Sequence, residues 1–108
     1  MQIGEVIAVD DAVSGFGSGH KEGRPCLVAR IIGEPPELVY LVPRSATSPF
    51  GIPVPAGAAP GLNKPGKFLT SPLPVDAADL EGADSYGMLA EPYFTQVMDG
   101  LDTFLMDI

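Results

Sequence analysis

Apolar residues fall in short clusters along this chain, and two clusters outweigh the rest. Residues 26–32, CLVARII, and residues 38–42, LVYLV, are almost continuously apolar. Their Val, Ile, Leu and Tyr side chains suit a pleated surface, so both stretches predict strands. Gly33-Glu34-Pro35-Pro36 lies between them. Proline fixes φ and has no N–H to give a ladder, so this stretch predicts a tight turn and the pair an antiparallel hairpin. In the first strand Leu27, Ala29 and Ile31 alternate with Cys26, Val28, Arg30 and Ile32. Period-two alternation puts these sets on opposite faces, with Arg30 expected to reach solvent.

The weaker clusters complete a mainly β pattern. Residues 2–9 carry Ile3, Val6, Ile7 and Val9 and predict a first strand. Residues 67–75, KFLTSPLPV, predict another, whose prolines place its end at a sheet edge. Residues 76–80 predict a helical turn that Asp76 is able to cap. Residues 86–89 predict a last short strand. From Glu91-Pro92 onward, Phe94, Val97, Met98, Leu101, Phe104, Leu105 and Ile108 recur at helical spacing, with Asp99, Asp102 and Asp107 opposite them. Proline is favoured near the first helical position. The first half of this helix is expected to pack on the core, and the second half is a dimerisation candidate. Strands followed by one terminal helix predict a small, strongly bent sheet or partly open barrel closed by that helix.

Two stretches interrupt the pattern. Residues 10–23 are glycine-rich and predict a surface loop. Their GFGSG run lacks the following helix and the Gly-Lys-Ser/Thr that a phosphate loop requires. Residues 49–66 hold five prolines and four glycines with no sustained periodicity. They predict a long loop, either a substrate cover or a stiff crossover.

Composition narrows the class. A chain of 108 residues suits one domain spanning 1–108. The single cysteine, Cys26, excludes an internal disulfide and is expected in the core. A free thiol there suits a reducing, cytoplasmic setting. The first residues lack the basic region of a secretory signal, and no apolar run reaches the roughly 20 residues of a membrane helix. The net charge is −8; residues 1–67 hold six bases and six acids, whereas residues 68–108 hold eight acids and no base. Such a field repels phosphate backbones at long range, which argues against a general nucleic-acid binder. It leaves room for a local cationic site, because exposed charges are screened beyond about 8 Å.

Candidate chemistry gathers at the hairpin's open end. Arg24-Pro25 precedes the first strand and Pro43-Arg44-Ser45 follows the second, and antiparallel pairing brings those ends together. Two guanidinium groups and a hydroxyl at one sheet edge form a candidate anion site. His20, the one histidine, titrates near neutrality and is a candidate general base, or else a solvated loop side chain. Glu22 is a candidate acid–base partner of Arg24, or its surface ion-pair partner.

These residues carry a resemblance. Gly4-Glu5-Val6-Ile7, then Arg24-Pro25 leading into an apolar strand, then a second strand ending Val42-Pro43 before Ser45, resemble the MazF/PemK family of toxin endoribonucleases in order and spacing. The likeness runs from about residue 2 to residue 48; beyond that only the layout is similar. The resemblance implies an SH3-like barrel with a C-terminal helix. It implies sequence-specific cleavage of single-stranded RNA without metal or cofactor, the 2′-hydroxyl attacking the adjacent phosphate to leave a cyclic phosphate and a 5′-hydroxyl. On the resemblance Arg24 and Ser45 take the catalytic positions; Arg44, which has no family counterpart, and His20 and Glu22 are expected substrate contacts from their place beside Arg24, not from the resemblance. A homodimer and an antitoxin protein whose flexible tail covers the groove are further implications.

The chain departs from the family in four places. Ser45 stands where threonine is usual, and Gly19 where an acid is common. Residues 49–66 replace a shorter, more polar loop. The acidic C-terminal third is unusual for an RNA enzyme. The competing class is a non-catalytic acidic barrel domain that binds a basic protein partner.

Overall fold

A computed structural model describes residues 1–10, 23–35 and 37–101. The order is β1 (Glu5–Val9), β2 (Arg24–Ile32), β3 (Leu38–Ser45), β4 (Ile52–Val54), β5 (Gly66–Phe68), β6 (Leu73–Asp76), a 3-10 turn (Ala77–Leu80), β7 (Ser85–Met88) and α1 (Tyr93–Gly100). The strands form one curled sheet, a half-barrel, in the order β4-β5-β3-β2-β1-β7, with β6 also paired to β3. The mainly β reading with one C-terminal helix therefore holds. Among the described residues no helix is long and apolar enough to cross a membrane.

β2 and β3 read as continuous apolar runs because the sheet is buried on both faces. On one face Val6, Leu27, Ala29, Val42, Val54 and Phe68 pack with Val97 and Leu101 of the helix region. On the other, Ile7, Val9, Cys26, Val28, Val39, Leu41 and Val75 pack under Leu80. A strand covered on both sides has no polar face to alternate with.

Several expectations change in detail. The expected facing of β2 holds only as far as Ala29. The β2–β3 register shifts between Val28 and Arg30, so one extra residue resets the alternation. Ile31 is consequently exposed, and Arg30 is half-buried. The single strand expected over 67–75 is two. Phe68 lies opposite Arg44, but Leu73 lies opposite Leu41. Two more residues therefore pass on this strand than on β3, and the excess falls in the Leu69-Thr70-Ser71-Pro72 stretch. Such an insertion bends a sheet, and this one lets β3 hold two partners along one edge.

Residues 49–66 are not a structureless loop. They contain β4, and Val54, Ala58, Ala59 and Leu62 are buried in the core. Beyond β4 the chain crosses to β7. The Gly61 N–H donates to the Tyr86 carbonyl at 2.7 Å, and the Ala90 N–H to the Ala58 carbonyl at 2.7 Å. Contact there is close enough to require glycine. A Cβ on Gly61 would lie 2.8 Å from Tyr86 Cα, and one on Gly87 2.5 Å from Pro60 Cδ.

Asp76 occupies the N-cap of the 3-10 turn, but its side chain makes no capping bond. Pro92 is the N-cap of α1, one position before the helix proper. Its first turn is held instead by Glu91, whose carboxylate accepts from the Thr95 N–H at 2.9 Å and from the Thr95 hydroxyl at 2.7 Å. Val97 is fully buried, with Tyr93, Phe94 and Met98 packed around the same cluster. Phe104, Leu105 and Ile108, with Asp102 and Asp107, lie outside the described residues, as does the expected loop over residues 11–22.

Candidate anion and RNA site

The start of β2 and the end of β3 meet, as antiparallel pairing requires. Cys26 lies opposite Pro43, so Arg24 and the Arg44-Ser45 dipeptide sit at the same end of the sheet. The Arg24 Nη1 donates to the Arg44 carbonyl at 2.8 Å. That bond is buried, and Arg24 is only 8% exposed.

Arg44 is built in more deeply. It is 6% exposed, although it is an arginine. Strand pairing sets it opposite Phe68, and its guanidinium carbon lies 5.1 Å from that ring's centre. Nη2 donates to the carbonyls of Val54 at 2.7 Å and Lys64 at 2.9 Å. Arg44 thus ties β3 to the end of β4 and to the turn before β5. Nη1 is buried and has no hydrogen-bond partner. No carboxylate pairs with Arg44 among the described residues, and burial holds its guanidinium below the ordinary arginine range. A buried cation is costly unless bonded. Two carbonyls and an aromatic face offset part of that cost.

Arg24 and Arg44 line one cleft of about 150 Å³. Pro25 and Ala46 flank them, Leu62 and Tyr86 form apolar walls, and Asn63, Lys64 and Pro65 complete the rim. A second, more open groove holds Asp10 and Asp84, with Tyr86 standing between the two. Among the described residues no three His, Cys, Asp or Glu side chains converge as a metal-ligand set.

Ser45 is placed differently. Adjacent strand residues point to opposite faces, so Ser45 points away from Arg44 and lies outside that cleft's lining. Its Oγ accepts from the N–H groups of Thr47 at 3.3 Å and Ser48 at 3.0 Å. Both bonds use the oxygen as acceptor, which leaves the hydroxyl hydrogen to donate. The structure thus joins Arg24 with Arg44, and puts Ser45 at the end of β3, outside the cleft, with its hydroxyl bonded to the turn that follows. His20 and Glu22 lie outside the described residues.

Three contributors were not singled out by the sequence: Tyr86, Asn63 and Lys64. Tyr86 sits in a short edge strand, and the other two in a Pro/Gly-rich stretch that showed no period. The visible signal was one aromatic in a short strand, SYGM. Comparison with protein-family models, curated proteins and solved structures finds no match for this chain.

Proposed function

We propose that this is a small SH3-like barrel of MazF/PemK type, and that it cleaves single-stranded RNA at the cleft beside Arg24. The observation that carries the reading is the meeting of Arg24 and Arg44 in one cleft, at the open end of the β2–β3 hairpin, with the Ser45 hydroxyl on the adjoining turn. Arg24 holds the scissile phosphate and stabilises the charge that builds on its oxygens. The bond between Arg24 Nη1 and the Arg44 carbonyl helps fix the side chain at the cleft. Ser45 donates its remaining hydrogen to a phosphate oxygen.

The chemistry balances without a co-reactant. The 2′-oxygen forms a bond to phosphorus and the bond to the 5′-oxygen breaks. The proton leaves the 2′-oxygen and ends on the departing 5′-oxygen. His20 is the candidate base for this transfer. The homodimer and the antitoxin partner belong to the same proposal.

The test is incubation of pure protein with mixed single-stranded RNA in EDTA. Expected are fragments with 5′-hydroxyl ends, abolished by Arg24→Ala and reduced about 100-fold or more by Ser45→Ala. Folded protein that cuts none of a varied RNA set overturns cleavage and favours the acidic binding domain. That second reading has its own support: eight acids and no base in residues 68–108.

A further inference from the structure

The cleft beside Arg24 is small, and most of its wall is carbon. Its volume of about 150 Å³ lies well under the roughly 300–1,000 Å³ of pockets that hold drug-sized molecules. One planar base or one small anion is what fits. Two kinds of occupant compete on different terms. A phosphate inside would lose its hydration against Pro25, Leu62 and Pro65, and would need several donors to replace it. Arg44 cannot supply a fork, because Nη2 is spent on the carbonyls of Val54 and Lys64. Its Nη1 alone lacks a partner, on a side chain 6% exposed. A planar base asks for less: aromatic and apolar surface for its faces, and a donor for one oxygen.

We infer that the cleft is a nucleobase subsite for the nucleotide whose phosphate Arg24 holds at the mouth, with Tyr86 against the base and Arg44 Nη1 donating to a keto oxygen. That oxygen is O4 of uracil or O6 of guanine; cytosine and adenine carry an amino group at that position, which sets donor against donor when the base enters by that edge. Nη1 is buried in the unliganded chain, so a base reaches it only with some movement of the cleft wall. This inference rests on the reading of the cleft as an RNA site and names the base that it takes.

The experiment is titration of the full chain with the 3′-monophosphates of uridine, guanosine, adenosine and cytidine, and with ribose 5-phosphate, followed by amide NMR. A keto nucleotide is expected to bind about tenfold tighter than its amino counterpart. Its shifts should centre on Gly61, Leu62 and Tyr86. Tyr86→Leu should weaken every nucleotide about fivefold and leave ribose 5-phosphate unchanged. Arg44→Met should erase the keto preference. Should that variant fail to fold, Tyr86→Leu with the ligand series still decides. Equal affinity for all five ligands, or shifts centred elsewhere, overturns the subsite. RNA cleavage with no base preference also overturns the subsite and leaves cleavage standing. A keto preference in a protein that cuts no RNA sustains the subsite and overturns cleavage.

Discussion

Arg44 shows how a charged residue becomes structural. Two backbone carbonyls, those of Val54 and Lys64, accept from its Nη2, and the Phe68 ring lies beside it. Truncation would strand those carbonyls in a buried site, each an unmade bond. Arg44→Met is expected to cost about 2–4 kcal/mol of unfolding free energy, measured by urea denaturation. Arg24→Ala removes the buried bond to the Arg44 carbonyl and should also cost stability, so its effect on the proposed RNA cleavage is read only on folded protein. Ser45→Ala removes the acceptor for two turn N–H groups in a partly solvated position. A stability loss of about 0.5–1.5 kcal/mol is expected. Measuring stability and RNA cleavage on the same Ser45→Ala sample separates turn damage from chemistry. Arg24 and Ser45 were readable from sequence as candidates because strand pairing alone sets their ends together. The depth of Arg44 was not readable, because it depends on Phe68, Val54 and Lys64 arriving from distant positions.

At the scale of elements, the helix and the divided strand are the instructive cases. Hydrogen bonds from Thr95, side chain first and backbone second, hold the Glu91 carboxyl below the usual carboxylate range. A depressed folded pKa means the contribution is present above the ordinary value of about 4.3 and is lost as pH falls through the folded one. Acid titration of the Thr95 amide signal should therefore have a midpoint below that of a free glutamate, and Glu91→Gln should abolish the step. A midpoint at the ordinary value would remove the carboxylate cap from this account. Phe68 anchors β5 beneath Arg44 and is fully buried, so Phe68→Ala is expected to cost about 3–5 kcal/mol in the same denaturation assay. The apolar runs made β2 and β3 legible, and helical spacing did the same for α1. The break at Leu69-Thr70-Ser71-Pro72 was not legible as a break. Its residues suit a strand, and only the shifted pairing against β3 shows that two of them are surplus.

Across the whole molecule, the decisive feature is the crossing of residues 55–62 from β4 to β7. It covers the open side of the curled sheet, buries Ala58, Ala59 and Leu62, and sets Gly61 against Tyr86 at the cleft wall. If it is part of the folded core, the Gly61 and Ala90 amides should exchange as slowly as those of β1 and β7, measured by hydrogen exchange. Gly87→Ala should lift the crossing, because the added Cβ meets Pro60 and Gly87 has φ +97°. A loss of about 1–3 kcal/mol and faster exchange at Gly61 are expected. Unchanged exchange at Gly61 in that variant would mean the crossing is held by something other than this contact.

Local rules on this chain settle that β1, β2, β3 and β7 are strands, that β2 and β3 form a hairpin, where the helix lies, and that Arg24 and Ser45 stand at neighbouring strand ends. All of these follow from short-range geometry: side-chain alternation, the fixed φ of proline and antiparallel pairing. Tertiary structure alone decides that both sheet faces are buried, that a proline-rich stretch is core, and that Arg44 is enclosed in the cleft wall while Ser45 lies outside it. Those outcomes depend on which distant surfaces meet, and contact between residues far apart in sequence leaves no period to read along the chain.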